Sequence, residues 1–265
     1  NAYYANMVAN EMFLDSATLR NSVVAKAKHL GYLPRSAKGS KAVVDLTITP
    51  TGAPAVITIP RFTQFQGDVD GINYIWCTAN SHALNINANL IYTVSNVELT
   101  QGIPISYRYT AETADVDQRY LLPNANIDTD TLTVTVQTSK TESASFAYDL
   151  ANDITTVNST SRHYFLDEVD EGLYEVQFGD GILGKEVSNG NIITLAGLVT
   201  DTDATNGCKN FTTVADVGGY SNVKIVTVDA AGGGAGSADI QEIKFNAPKS
   251  FDAQNRCVTV YDYIS

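Results

Sequence analysis

The sequence predicts a mainly β fold (α+β), with an antiparallel β body flanked by N-terminal and C-terminal helices. Three observations predict it. First, only 17% of the residues are charged while 44% are apolar, and Thr, Asn, Ser, Val and Gly fill the remainder. That profile suits strands and turns better than solvated helices. Second, the apolar period is two over most of the stretch from Lys41 to Val228. Third, the period is helical at both ends. The expected organisation is a helical segment over 1–38, a β-rich body over 39–228, and a Gly-rich hinge with a helical segment over 229–265.

The elements follow in order. Ala2 to Leu14 reads as a first helix. Asp15 and Ser16 offer a cap for a second, in which Leu19, Val23, Ala27 and Leu30 recur at helical spacing. Gly31 sits where a left-handed C-terminal cap belongs, and Pro34 bars continuation. From Lys41, the apolar residues Val44, Leu46 and Ile48 alternate with Asp45, Thr47 and Thr49, which reads as a half-buried strand. Pro50 to Pro54 is a turn, and Val56 to Ile59 the returning strand. Leu84 to Val94 is β-like. Leu132, Val134 and Val136 alternate with threonines, Tyr174, Val176 and Phe178 repeat the pattern, and Ile192 to Leu195 and Val223 to Val228 are further strands.

Residues 229–237, "DAAGGGAGS", read as a flexible hinge centred on Gly232, Gly233 and Gly234. A last helix follows, with Asp239 and Glu242 in its first turn, Ile240, Ile243 and Ala247 on one face, Lys244 in its last turn, and Pro248 as its stop. At the end, Thr259 and Asp262 have the spacing of a helix cap, while Val258 to Tyr261 reads equally well as a short strand. Residue 1 is Asn, and both ends read as cut from a longer polypeptide.

Composition excludes several classes. A net charge of −12 repels phosphate backbones and anionic lipid, so neither nucleic acid nor membrane is an expected partner. Cys77, Cys208 and Cys257 form no CxxC pair, which fits a reducing compartment. His29, His82 and His163 lack metal-ligand spacing. "FGDGILGK" (178–185) is no Walker loop, because Glu186 follows Lys185 where Ser or Thr is needed. Gly179, Asp180 and Gly181 between two β runs are hairpin chemistry, and Asn189, Gly190 and Asn191 repeat it. "GGGAGS" lacks the last glycine of a dinucleotide fingerprint. No GxSxG occurs. The acids Asp167, Glu168, Asp170 and Glu171 leave open a glycosidase-type pair or a calcium site, beside the plain reading of solvated turn residues. No cofactor is expected.

Three stretches carry a resemblance. "YEVQFGDGILGKEVSNGNIITLAGLVTDTDATNG" (174–207) and "GGAGSADIQEIKFNAPKSFDAQNRCVTVYDY" (233–263) resemble the core segments of the baseplate J-like proteins. "NEMFLDSATLRNSVVAKAKHLGYLPRSAKGSKAVV" (10–44) is similar to the upstream helix of the branch that builds the baseplate wedge of contractile-tailed bacteriophages. The sequence departs from that pattern in "GGAGSAD", and Leu195-Ala196-Gly197 lacks the usual aromatic. The resemblance implies a non-enzymatic virion protein of the tail baseplate, assembled in the host cytoplasm. Its implied partners are copies of itself, other wedge proteins, and sheath-initiator or hub proteins, in a ring around the tail tube. Candidate interface residues are Ile240, Ile243, Phe245, Phe251, Tyr261 and Tyr263, each of which could equally pack within its own domain. The alternative is a β-rich carbohydrate-binding or glycan-hydrolysing tail module, for which Trp76 and the Tyr107/Tyr109 pair would supply the aromatic platform.

Overall fold

Alternation dictates the first long strand, β1 (Lys41–Ile48): Ala42, Val44, Leu46 and Ile48 turn inward and are buried. The computed structural model describes residues 2–50, 52, 54–112, 118–151, 157–170 and 172–253. After β1 come β2 (Val56–Ile59), β3 (Gln64–Val69), β4 (Ile72–Thr78), β5 (His82–Asn85) and β6 (Tyr92–Gln101). The chain then builds β7 (Ile103–Thr110), β8 (Tyr120–Leu122), β9 (Ile127–Gln137), β10 (Ser145–Leu150), β11 (His163–Asp170), β12 (Leu173–Phe178) and β13 (Ile192–Val199). It returns for β14 (Phe211–Thr213) and β15 (Val223–Gly232).

These strands form two curled sheets rather than one body. The first runs β14-β3-β4-β6-β1-β15, with β2 and β5 as a separate pair. Its end strands meet. Thr227 Oγ1 donates to the Lys209 carbonyl (2.6 Å), the Ala231 N–H donates to the Cys208 carbonyl (2.9 Å), and the Gly207 N–H donates to the Ala231 carbonyl (2.7 Å). Its interior holds Leu46, Ile48, Ile59, Phe65, Trp76, Tyr92 and Leu99. The second sheet runs β7-β13-β9-β10-β11-β12-β8. Its end strands also approach, where Tyr109 Oη donates to the Leu121 carbonyl (2.5 Å). Inside, Tyr109, Tyr120, Phe178 and Tyr148 form a chain of ring contacts at 5.2–5.6 Å. The two apolar cores are separate, and the second barrel is inserted between β6 and β14 of the first.

Helices α1 (Ala2–Asn10), α2 (Arg20–His29) and α3 (Ile240–Ala253) complete the fold. α2 and α3 share a small cluster built from Ala17, Val23, Val24, Ala27, Ile243 and Ala247. The flanking helices and the mainly antiparallel pairing match the expected class, except that β10 and β11 run parallel.

Several expectations are corrected. β2 does not return along β1; both edges of β1 are taken by β6 and β15, so β2 pairs with β5. The expected run Leu84–Val94 is broken into β5 and the start of β6. There Asn87 Oδ1 accepts the Asn89 and Ile91 N–H groups, and Leu90 has φ 58°. α1 ends at Asn10, short of Leu14. Pro248 lies inside α3 and does not stop it, since a proline deletes one backbone bond while five further residues continue the helix. The body boundary at 228 is overrun, because β15 continues through Gly232 against Lys41.

The glycine segment is tied down rather than free. Gly232 is in the β ladder, and Gly233 turns the chain with φ 79°. Gly234 exchanges hydrogen bonds with the Asn206 side chain (2.9 and 3.0 Å). A Cβ on Gly234 would lie 2.3 Å from the Thr202 carbonyl. Ala235 then bridges to Lys38. Gly234 serves close backbone approach and Gly233 a left-handed turn, not slack.

Candidate assembly surface

The helical end is built by polar anchors on one side and left greasy on the other. Glu11 sets its first turn. Its carboxylate accepts the Thr18 N–H (2.8 Å), the Thr18 hydroxyl (2.7 Å) and, at longer range, the Leu19 N–H (3.4 Å). The Thr18 backbone and hydroxyl bonds pull the Glu11 carboxyl down to about 2. α2 is therefore served by a carboxylate from the preceding turn, not by Asp15 or Ser16. Leu19 is the capping residue, and Ser16 Oγ donates instead to the Asn10 carbonyl (2.6 Å). Gly31 ends α2 in the left-handed region (φ 73°), as its position predicts.

α2 is held to β11 by charge. Arg20 Nε and Nη2 donate to the two Glu168 oxygens (2.6 and 3.1 Å), with the Glu168 side chain 1% exposed. Arg20 Nη1 also donates to the Ala238 carbonyl (2.5 Å), at the entry to α3. Lys28 pairs with Asp167 (2.7 Å), and Asn21 donates to Asp170 (2.8 Å). The acids offered for a glycosidase pair or calcium are thus helix anchors. Glu171 lies outside the described residues, and no group of three or more metal-binding side chains occurs among those described.

α3 is capped by Asp239, whose Oδ1 accepts the Glu242 N–H (2.7 Å). Arg35 grips Glu242 (3.0 Å), and Lys244 Nζ donates to the Asp15 carbonyl (2.8 Å), bringing α3 beside the turn after α1. The candidate interface residues now separate. Ile243 is fully buried against α2, and Ile240 packs on the same cluster. Phe245 and Phe251 are 64% and 51% exposed. Tyr261 and Tyr263 lie outside the described residues, as does the cap or strand expected at 258–262.

Sequence reasoning missed the other half of this surface. Tyr4, Met7, Val8, Met12 and Phe13 are all exposed, and no described side chain of α1 belongs to a hydrophobic cluster. The signal was present in "YYANMVANEMF", which is apolar on more than one side of a helix.

The "FGDG" loop is a tight turn but not a hairpin, because β12 pairs with β11 and β8 while β13 pairs with β9 and β7. Asp180 Oδ1 accepts the N–H groups of Ile182 and Leu183 (both 2.9 Å), which holds its carboxyl below the usual range. Gly181 has φ 82°. Gly190, the turn expected one strand later, immediately precedes β13 without an intervening strand (φ 81°).

The three aromatics of the alternative reading do not form one exposed platform. Trp76 is fully buried, edge-on to Phe211 at 5.1 Å. Tyr107 and Tyr109 pack against the second core.

No protein-family model matches the chain. Over 290 aligned positions it is 25% identical to baseplate wedge protein gp6 of Enterobacteria phage T4, a match that covers 98% of this chain and 42% of that protein. The chain therefore spans under half the length of this curated relative. The likeness supports the resemblance to baseplate wedge proteins read from the sequence, and it extends along nearly the whole chain rather than over the quoted motifs alone.

Proposed function

We propose that the chain is a structural, non-enzymatic part of a phage tail baseplate, and that its helical end is completed by other baseplate chains. One observation carries the reading: a nine-residue helix, α1, keeps every described side chain out of the protein's apolar clusters. A helix that short is marginal in water by itself. Phe245 and Phe251 extend the same greasy end on α3. The gp6 likeness supplies the class of assembly. On this reading the chain sits in the virion, in the wedge of a contractile tail, joined to its own copies, other wedge proteins and sheath-initiator or hub proteins in a ring around the tube.

The test is incorporation. Phe13→Ser, Phe245→Ser and Phe251→Ser together alter exposed positions, so the purified variant should melt like the native chain. It should nevertheless be lost from tail particles assembled in infected cells, with a drop of at least tenfold by mass spectrometry. Native-level incorporation refutes the surface. Glycan turnover by the purified chain refutes the structural role.

A further inference from the structure

The inserted barrel, 103–199, is attached to the rest of the molecule in an unusual way. The chain enters it once and leaves it once, and the two crossings lie side by side, with Ile103 paired to Val199. Gln101, fully buried, clamps them. Its Oε1 accepts the Thr200 hydroxyl (2.8 Å) and the Asp201 N–H (2.9 Å), and its Nε2 donates to Asp201 Oδ2 (2.7 Å). Beyond the crossing, the buried Tyr174 hydroxyl donates to the Pro34 carbonyl (3.0 Å), and three sets of polar contacts hold the barrel. The strap before β1 grips the start of β9. Ser36 Oγ meets Thr129 Oγ1 (2.9 Å), the Gly39 N–H donates to Asp128 Oδ2 (3.0 Å), and Lys38 pairs with Asp130 (2.7 Å). From the first barrel, Arg61 donates to Thr133 Oγ1 (3.0 Å) and the Thr131 carbonyl (2.8 Å), with its buried Nε unpartnered. Phe62, at φ 64°, turns the chain so that its ring lies under the Arg61 guanidinium at 4.4 Å. The third set is the α2 anchors on β11.

Apolar packing is thin across this seam. Grooves of about 570 and 540 Å³ run beneath Tyr32, Leu33 and Pro34, along the face of β9, β10 and β11. The two β cores do not merge. Separating these surfaces exchanges protein hydrogen bonds for water and exposes little that is tightly packed.

The geometry points to a hinged insert: the 103–199 barrel pivots as a rigid body on the crossing clamped by Gln101, and the Ser36–Thr129, Arg61–β9 and Arg20–Glu168 contacts are its latches. The motion is of the domain-hinge kind, with the bend confined to residues between elements.

The experiment measures a distance across the seam in the full chain. Nitroxides attached through a ketone-bearing amino acid at Lys140, on the inserted barrel, and Lys224, on the first, report by pulsed electron resonance. Arg61→Ala with Ser36→Ala should add a second distance population at least three times larger than any in the native chain. A Ser36→Cys/Thr129→Cys disulfide should leave a single one. One identical distance in all three overturns the proposal. Hydrogen exchange on the unmodified chain needs no variant to fold. The Gly39 and Thr129 amides, which donate across the seam to Asp128 and Ser36, should exchange at least tenfold faster than the interior amides of Leu46 and Leu195. Equal protection means one cooperative body and sinks the hinge.

Discussion

The interior of the first barrel and the seam beside it are both buried, yet they are built from opposite materials. The barrel interior is Trp76, Phe65, Leu46, Ile48 and Leu99, all essentially without exposure. The seam and its crossing are Ser36, Gln101, Asp128 and Thr200, equally hidden and satisfied by hydrogen bonds such as Ser36 to Thr129 (2.9 Å). An apolar interior is held by non-directional burial and tight packing, and loses stability in proportion to the volume removed. A polar seam contributes little net stability but fixes geometry, because a partner taken away leaves a buried group unsatisfied. Strength and orientation are thus assigned to different parts of this molecule.

The sharpest way to break the comparison is inside the barrel. Trp76→Ala deletes the largest fully buried side chain and should destabilise by about 3–5 kcal/mol, read as a lower urea midpoint. Arg20→Ala comes next. It strands the Glu168 carboxylate, 1% exposed, and should cost about 3 kcal/mol, a loss that Arg20→Ala combined with Glu168→Leu should largely recover. Gln101→Ala should cost about 1–3 kcal/mol by leaving Thr200 and Asp201 groups without a partner. At the small end, Lys28→Ala removes an ion pair whose lysine is 54% exposed and should change stability by no more than about 0.5 kcal/mol.

Acid separates the helical end from the seam by sign. Glu11 is lowered from 4.5 to about 2 by its bonds to Thr18, so its stabilisation is present above the usual carboxylate value. It is lost as the pH falls from there through about 2. Asp128 is raised by burial, against bonds from Gly39 and Asp130 that lower it. Its ionised form is therefore disfavoured in the fold, and that penalty is relieved as the pH falls through its folded value. Melting-temperature profiles of Glu11→Gln should converge on the native curve near pH 2. The penalty carried by the Asp128 carboxylate should make the native curve gain on Asp128→Asn as the pH drops from 7 toward 4. Parallel curves for both variants would remove the sign difference.

Much of this was legible in the residues, and the losses have physical causes. Period two named the buried faces of β1, β9 and β12 correctly, because alternation is a property of one strand. It could not say which strands pair. So period two alone sends β2 back to β1, reads "FGDG" as a hairpin, and merges the inserted barrel with its host. Glycine at 31, 181 and 190 marked positive φ reliably, since few other residues adopt it. At Gly234 the same residue type meant a carbonyl 2.3 Å from where a Cβ would sit, which no local pattern reveals. Of the candidate surface, Phe245 and Phe251 are legible as candidate interface residues, while Met12 and Phe13 fall in a stretch that reads as helix to Leu14 although α1 ends at Asn10.

Cross-linking mass spectrometry on purified tail particles bears most directly on the account. Lys249, whose Nζ sits 3.4 Å from the Phe245 ring centre, lies on the exposed side of α3. Assembly through the helical end requires links from Lys249 and from the α1 end to other tail polypeptides. Particles that contain this chain but show Lys249 linked only within it, with α1 as open to solvent labelling as in the free protein, would contradict it.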